Sequence, residues 1–186
     1  SNSLSCEIVG VPLTAQASTV ANITATNELG SSEVAIDIII LEETAFITTW
    51  KTDNVGASDD NQITIKVSPD FSYNFNVDWG DGTTDENVTA DITHTYDVVG
   101  TYTLSITGAF PQPYFDATSD SSLTDSLKIL SVEQWGQCSW LSMKQAFFNA
   151  SNLAINDLEN PDLSFVTSMN SMFNNADNLT GEISGW

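Results

Sequence analysis

Three carboxylates and one imidazole are the residues whose spacing could do chemistry. Asp78, Asp81 and Asp85 lie close together around Trp79-Gly80-Asp81-Gly82, and the sequence's single histidine, His94, follows. A calcium ion takes six to eight oxygens, and this stretch lacks the spacing of an EF-hand loop. Two readings stand side by side. In one, the three aspartates, helped by Asp59 and Asp60, make a weak Ca²⁺ site. In the other, their carboxylates accept hydrogen bonds from turn N–H groups while Gly80 and Gly82 supply positive φ. A histidine acting as general base needs a nucleophile in a cleft. No Gly-x-Ser-x-Gly occurs, and His94 falls at the edge of a predicted strand, so it reads as structural. Glycoside chemistry needs two carboxyls held across a sugar cleft, and no motif selects such a pair here. No catalytic residue is assigned, and the sequence does not read as an enzyme.

Composition narrows the partners. The chain has 186 residues, 25 of them Asp or Glu, against four Lys and Arg together, for a net charge of −21. Such a surface repels phosphate backbones, so nucleic acid and anionic membranes are excluded as partners. No cofactor is implied beyond the Ca²⁺ alternative. Cys6 and Cys138 are far apart and outside any Cys-x-x-Cys spacing, which argues against zinc. No apolar run is long enough to span a bilayer, and no signal peptide is visible. The first residues read as the interior of a domain, so a signal is expected upstream of this segment.

The elements that must position these residues are short strands. Over residues 1–42, Ala21, Ile23 and Ala25 alternate with polar residues, and Val34, Ile36, Ile38 and Ile40 alternate again after a turn cluster. That period-2 pattern predicts a hairpin, the last part of an incomplete β-domain. Over residues 43–110, five strands are predicted: around Phe46 and Trp50; Ile63 to Val67; Tyr73 to Trp79; Ile92 to Tyr96; and Tyr102 to Ile106. Turn signals separate them, as in a β-sandwich with Trp50 and Trp79 in its core. Residues 111–126, with Pro111, Pro113 and many Ser, Thr and Asp, read as a joint between domains.

Beyond the joint the period changes. Residues 142–153 align with 168–179 at an offset of 26, and seven of twelve positions are identical. Val132 and Trp135 recur as Leu158 and Pro161 at the same offset, then as Ile183 and Trp186. A fixed period of this size signals a solenoid. Val132, Leu158 and Ile183 are expected to enter the core on short extended stretches. Met143, Phe147 and Ala150, and again Met169, Phe173 and Ala176, fall at i, i+4, i+7, one face of a short helix. Leu153 and Leu179 close each turn. Trp135, Trp140 and Trp186 read as core or cap residues, with stacking on a sugar or peptide as the alternative.

Three resemblances follow from these residues. The stretch from Gly10-Val11-Pro12 to Leu41 resembles the last strands of bacterial immunoglobulin-like surface modules. Val77-Asp78-Trp79-Gly80-Asp81-Gly82, then His94-Thr95-Tyr96, then Gly100-Thr101-Tyr102-Thr103-Leu104 resembles the PKD (polycystic kidney disease) family. Leu104 stands where that family has Val. The resemblance implies an extracellular Ig-like sandwich in which Trp79, Gly80, Gly82, His94, Tyr96, Gly100 and Tyr102 are structural. Val166-Thr167-Ser168-Met169 through Leu179 resembles the BspA-type leucine-rich repeat of bacterial surface proteins, and the copy at 142–153 is degenerate, with Ala146 replacing the second Met.

The sequence therefore reads as mostly β: an Ig-like remnant at 1–42, a PKD-like sandwich at 43–110, a joint at 111–126, and the start of a leucine-rich-repeat-like α/β solenoid at 127–186. The resemblances imply a non-enzymatic bacterial surface or secreted protein that contacts a protein or glycan ligand on another cell or matrix. An accessory module of a secreted hydrolase and a Ca²⁺-stiffened stalk are the alternatives.

Overall fold

A computed structural model describes residues 16–27, 30–40, 44–115, 124–181 and 183–186. The chain divides into two compact units, 1–43 and 44–186. In the first, β1 (Gln16–Asn27) and β2 (Gly30–Ile40) form an antiparallel hairpin. Its register sets apolar positions opposite one another, Ile23 against Val34 and Ala21 against Ile36. Cys6 lies outside the described residues.

The second unit contains β3 (Phe46–Lys51), β4 (Gln62–Ile65), β5 (Asn74–Asp78), β6 (Thr84–Val88), β7 (Ile92–Thr95), β8 (Thr101–Ala109), β9 (Ile129–Gln134), β10 (Ala154–Ile155) and β11 (Thr180–Gly181). The described residues contain no helix, so none is long and apolar enough to cross a membrane. Strands β4 and β7 pair with each other, and the other seven form one sheet in the order β11-β10-β9-β3-β8-β5-β6. Period-2 patterning faces the sheet correctly: Phe46, Thr48 and Trp50 of β3, Phe75 and Val77 of β5, and Leu104 and Ile106 of β8 are buried. Ile63 and Ile65 of β4 join the same core from the other layer.

The sheet does not stop at the expected joint. β3 pairs antiparallel with β8 on one side and with β9 on the other, so strands from both sides of 111–126 share a central strand. The rings follow. Phe46 stacks on Phe110 at 6.1 Å and on Trp135 at 5.8 Å, and meets Trp140 edge-on at 5.1 Å. Phe110 and Phe115, placed in the joint or at its border by the sequence reading, are buried in this core. Residues 44–110 and 127–186 are thus parts of one unit, because burying the β3 aromatics takes rings from both.

From β9 onward the strands run parallel. Parallel neighbours need a long crossover, supplied here by residues 135–153. The sequence reading expects a helix in that crossover, and the structure has a chain of turns. The N–H groups of Ala146, Ala150 and Leu153 donate to the carbonyls of Met143, Phe147 and Ala150. Gln145 and Asn149 have φ of 59° and 60°, and Ser171 and Asn175, 26 positions on, have 57° and 58°. A right-handed helix requires negative φ throughout, so a left-handed residue every fourth position breaks it. The four-residue recurrence of Met143 and Phe147 is the period of these turns.

The repeat-core expectations divide between two successive stretches of turns, a first coil over residues 135–153 and a second over residues 156–179. Val132, Met143, Phe147 and Leu153 are fully buried, and Phe173 and Leu179 pack partly buried against them. Leu158, Met169 and Ile183 are corrected: they are 98%, 44% and 39% exposed, and Met172 is the buried methionine of the second coil. The first coil is covered by the second, whereas the outer side of the second is uncovered among the described residues.

Candidate functional site

The acidic turn is built at the end of β5. Gly80 has φ 77°, and a Cβ there would strike the Thr103 carbonyl of β8. Gly82 has φ 91° with nothing near its missing Cβ. The first glycine answers to close approach and turn geometry, the second to geometry alone. Gly100 has no left-handed φ; its N–H donates to Thr52 Oγ1 at 3.0 Å and its carbonyl accepts from Thr52 N at 2.9 Å.

Each aspartate of the turn has its own structural partner. Asp78 Oδ1 accepts from Gly80 N at 2.9 Å, and Asp85 Oδ2 accepts from Trp79 Nε1 at 2.8 Å. Asp81 Oδ1 accepts from Thr83 N and Thr83 Oγ1 at 3.0 and 2.6 Å, and its Oδ2 lies 2.8 Å from His94 Nε2. Burial pushes the Asp81 carboxyl up, but the hydrogen bonds from Thr83 and His94 outweigh it and carry the pKa down to about 2. The expected Ca²⁺ set of Asp78, Asp81 and Asp85 is not assembled. Among the described residues no group of three His, Cys, Asp or Glu side chains is placed to hold a metal. Turn N–H groups, a threonine, an indole and an imidazole occupy these oxygens instead.

His94 belongs to an aromatic column. Its ring stacks on Trp79 at 4.7 Å and meets Tyr96 edge-on at 4.5 Å, and Tyr96 stacks on Tyr102 at 3.9 Å. The Tyr96 hydroxyl donates to the Trp79 carbonyl at 3.1 Å. Burial raises the Tyr96 pKa. Tyr102 makes the short upstream bond typical of a corner tyrosine, its hydroxyl donating to the Val98 carbonyl at 2.7 Å. Beside this column, Thr83 Oγ1 lies 3.4 Å from His94 Nε2 and is already bonded to Asp81 Oδ1.

A wider concavity lies at the carboxyl ends of β9 and β10. This groove of about 640 Å³ is lined by Glu133, Gln134, Gln137, Asn156, Asp157 and Glu159, among others. Its polar groups are partly held by the protein. Asn156 Nδ2 donates to Glu133 Oε1 at 2.9 Å, Gln134 Nε2 to the Ala45 carbonyl at 2.9 Å, and Trp135 N to Asp157 Oδ2 at 2.7 Å. No lysine lines it. A second, apolar crevice beside Trp50 and Phe115 offers only about 30 Å³, room for water and nothing larger.

Two buried charged residues have no counterpart in the sequence reading. Lys128 is fully buried, and its Nζ donates to the Ser58, Asp59 and Gln62 carbonyls and to Ser58 Oγ at 2.8–3.0 Å. Burial pulls its pKa down, against the nearby carboxylates of Asp125, Asp60, Asp59 and Asp53. Asp125 is buried beside it and accepts from Ser58 N, Ser58 Oγ and Thr64 N at 2.7–3.0 Å. One signal was available: Lys128 interrupts the apolar run Leu127-Lys128-Ile129-Leu130.

Fold and site together define a mostly-β protein whose acidic-turn side chains are engaged in internal contacts and whose concave surface carries carboxylates and amides. Residues 128–186 match the family described as "Mycoplasma protein of unknown function, DUF285", which spans about the last third of the chain. No curated protein and no solved structure matches the chain.

Proposed function

We propose that residues 44–186 form a non-enzymatic interaction module of a bacterial surface or secreted protein. In this reading a PKD-like sandwich carries the opening coils of a BspA-type, leucine-rich-repeat-like solenoid, and the exposed coil surface contacts a protein or glycan ligand. The observation that carries the proposal is the shared strand β3, which pairs with both β8 and β9. A repeat surface built on such a strand is held rigidly, as recognition surfaces need. The solenoid reading draws support from left-handed residues recurring at an offset of 26, and from the N–H groups of the first coil bonding to the second. The commitment of Asp78, Asp81, Asp85 and His94 to internal bonds favours a spacer over a catalytic or Ca²⁺-dependent role.

Binding of the purified chain to immobilised matrix proteins, to glycan arrays and to whole cells tests the proposal. Saturable binding lost on mutation of the coil surface, with Ca²⁺ and EDTA giving the same result, is the expected outcome. Absence of binding across all three, or hydrolysis of any of these ligands by the chain, rejects it.

A further inference from the structure

The four lysines of the chain are held in two different ways. Lys51, Lys66 and Lys144 are part-exposed, and each faces one carboxylate, of Asp53, Asp91 and Asp70, at 3.3–3.9 Å. Lys128 is fully buried, and its ammonium forms no ion pair of that kind among the described residues. Its Nζ sits instead among four neutral oxygens. These are the carbonyls of Ser58, Asp59 and Gln62 at 3.0, 2.8 and 3.0 Å, and Ser58 Oγ at 2.8 Å. An ammonium has three N–H donors. Four near-equal contacts therefore surround it as a sphere of charge rather than as three directed bonds.

The loop is shaped for this occupant. Ser58 Oγ lies 2.7 Å from Asp125 Oδ2, so its proton goes to that carboxylate and its lone pairs face the ammonium. Gly56 makes room for the stem: a Cβ there would lie 2.5 Å from both Lys128 Cε and Asp125 Oδ1. Behind the neutral oxygens stands a layer of carboxylates, Asp125, Asp60, Asp59 and Asp53, whose charge favours the ammonium against the cost of burial.

Contacts of 2.8–3.0 Å are too long, and four oxygens too few, for Ca²⁺, which takes six to eight at about 2.3–2.6 Å. They suit a larger, singly charged ion whose hydration shell carbonyl oxygens can replace. We infer that the 58–62 loop is a binding site for a monovalent cation of potassium or ammonium size, which this chain fills with its own Lys128. The lysine is a cation that cannot diffuse away. It is the residue before β9, whereas the oxygens that hold it lie between β3 and β4. The tethered charge thus fastens the repeat half to the sandwich half without a dissociable ion. This goes beyond the interaction reading and does not depend on it.

Emptying the cage tests it, with the full chain and its melting temperature as the readout. Lys128→Ala removes the ammonium and leaves the oxygens, while Lys128→Met keeps a stem that fills the passage. Melting is compared in potassium, ammonium and tetramethylammonium chloride at matched ionic strength, the last ion being too bulky for the cage. Potassium and ammonium should raise the Tm of Lys128→Ala saturably, by about 5 °C or more over tetramethylammonium. The parent and Lys128→Met should show no such difference. Adding Ser58→Ala to Lys128→Ala removes one oxygen and should weaken the apparent potassium affinity about tenfold. Equal Tm values for Lys128→Ala in the three salts overturn the inference. So does the same increment in the parent and Lys128→Met, which marks a general effect of the acidic surface, and so does an affinity unchanged by Ser58→Ala. Should Lys128→Ala be unfolded in tetramethylammonium, circular dichroism reads the same question. β-structure regained in potassium supports the site, and a chain unfolded in every salt overturns it.

Discussion

His94 and Asp81 meet with side chains only 15% and 20% exposed, so their contact is partly shielded from water. The sign of its pH dependence follows from Asp81. A carboxyl held at about 2 in the folded chain, below its ordinary 3.8, adds stability that is complete above the ordinary value. That contribution is lost as pH falls through about 2. Asp81→Asn should therefore cost about 1–2 kcal/mol near neutral pH, less than the full shift because the pair is partly solvated. The deficit should shrink toward zero as urea denaturation is repeated at successively lower pH; a deficit constant across that range refutes the assignment. Lys128 works through a different balance. Its ammonium satisfies four oxygen acceptors of the 58–62 loop, and Lys128→Met leaves those oxygens and the Asp125 carboxylate without it. A loss of about 3 kcal/mol is expected from chemical denaturation at neutral pH. A neutral result would mean that the loop finds water at no cost.

At the scale of elements, the turn coil is where sequence and structure part. The 26-residue offset and the inward set of Val132, Met143, Phe147 and Leu153 are legible, because apolar positions report burial whatever the backbone does. The backbone conformation is not legible from them. Residues four apart share a face in a helix, and they also recur in successive turns reset by a left-handed residue. The cue lies in the polar residues: Asn149 and Asn175 are of the type that tolerates positive φ, but Gln145 and Ser171 are not strongly so. Burial of the second coil is not legible either, since Met169 repeats Met143 in sequence but, among the described residues, is 44% exposed where Met143 is buried. In the acidic turn, the motif residues could be read, while their meeting in an aromatic column and the division of the three carboxylates among separate donors needed the geometry. Gln145 gives the direct test of the coil. Gln145→Gly should be neutral or stabilising by up to ~1 kcal/mol, and Gln145→Val should destabilise by at least ~1 kcal/mol. In a helix the order would reverse, glycine costing about 1 kcal/mol. Denaturant midpoints of the two variants decide between them.

For the molecule as a whole, the question is how many cooperative units the second compact body contains. It spans about 140 residues, an ordinary size for one domain. Its core draws on both halves: Trp135 stacks on Phe46 from β3, meets Trp140, Phe147 and Trp186 edge-on, and is almost fully buried. Removing that ring leaves a cavity beside β3 and beside the coils alike. Trp135→Ala should cost about 3–5 kcal/mol, the range for a large buried aromatic. The distribution of that cost carries the argument. If β3 belongs to one cooperative structure, exchange protection should fall together at β8 amides such as Leu104 and Ile106 and at the coil amides of Phe147 and Asn149. Calorimetry of the variant should then show one shifted transition for this body. Protection lost in the coils but kept in β8, or two transitions where the parent has one, would mean that the shared sheet joins two independently folding parts. In that case the coil surface would be tethered to the sandwich, and the rigid presentation on which recognition by the coils depends would be lost.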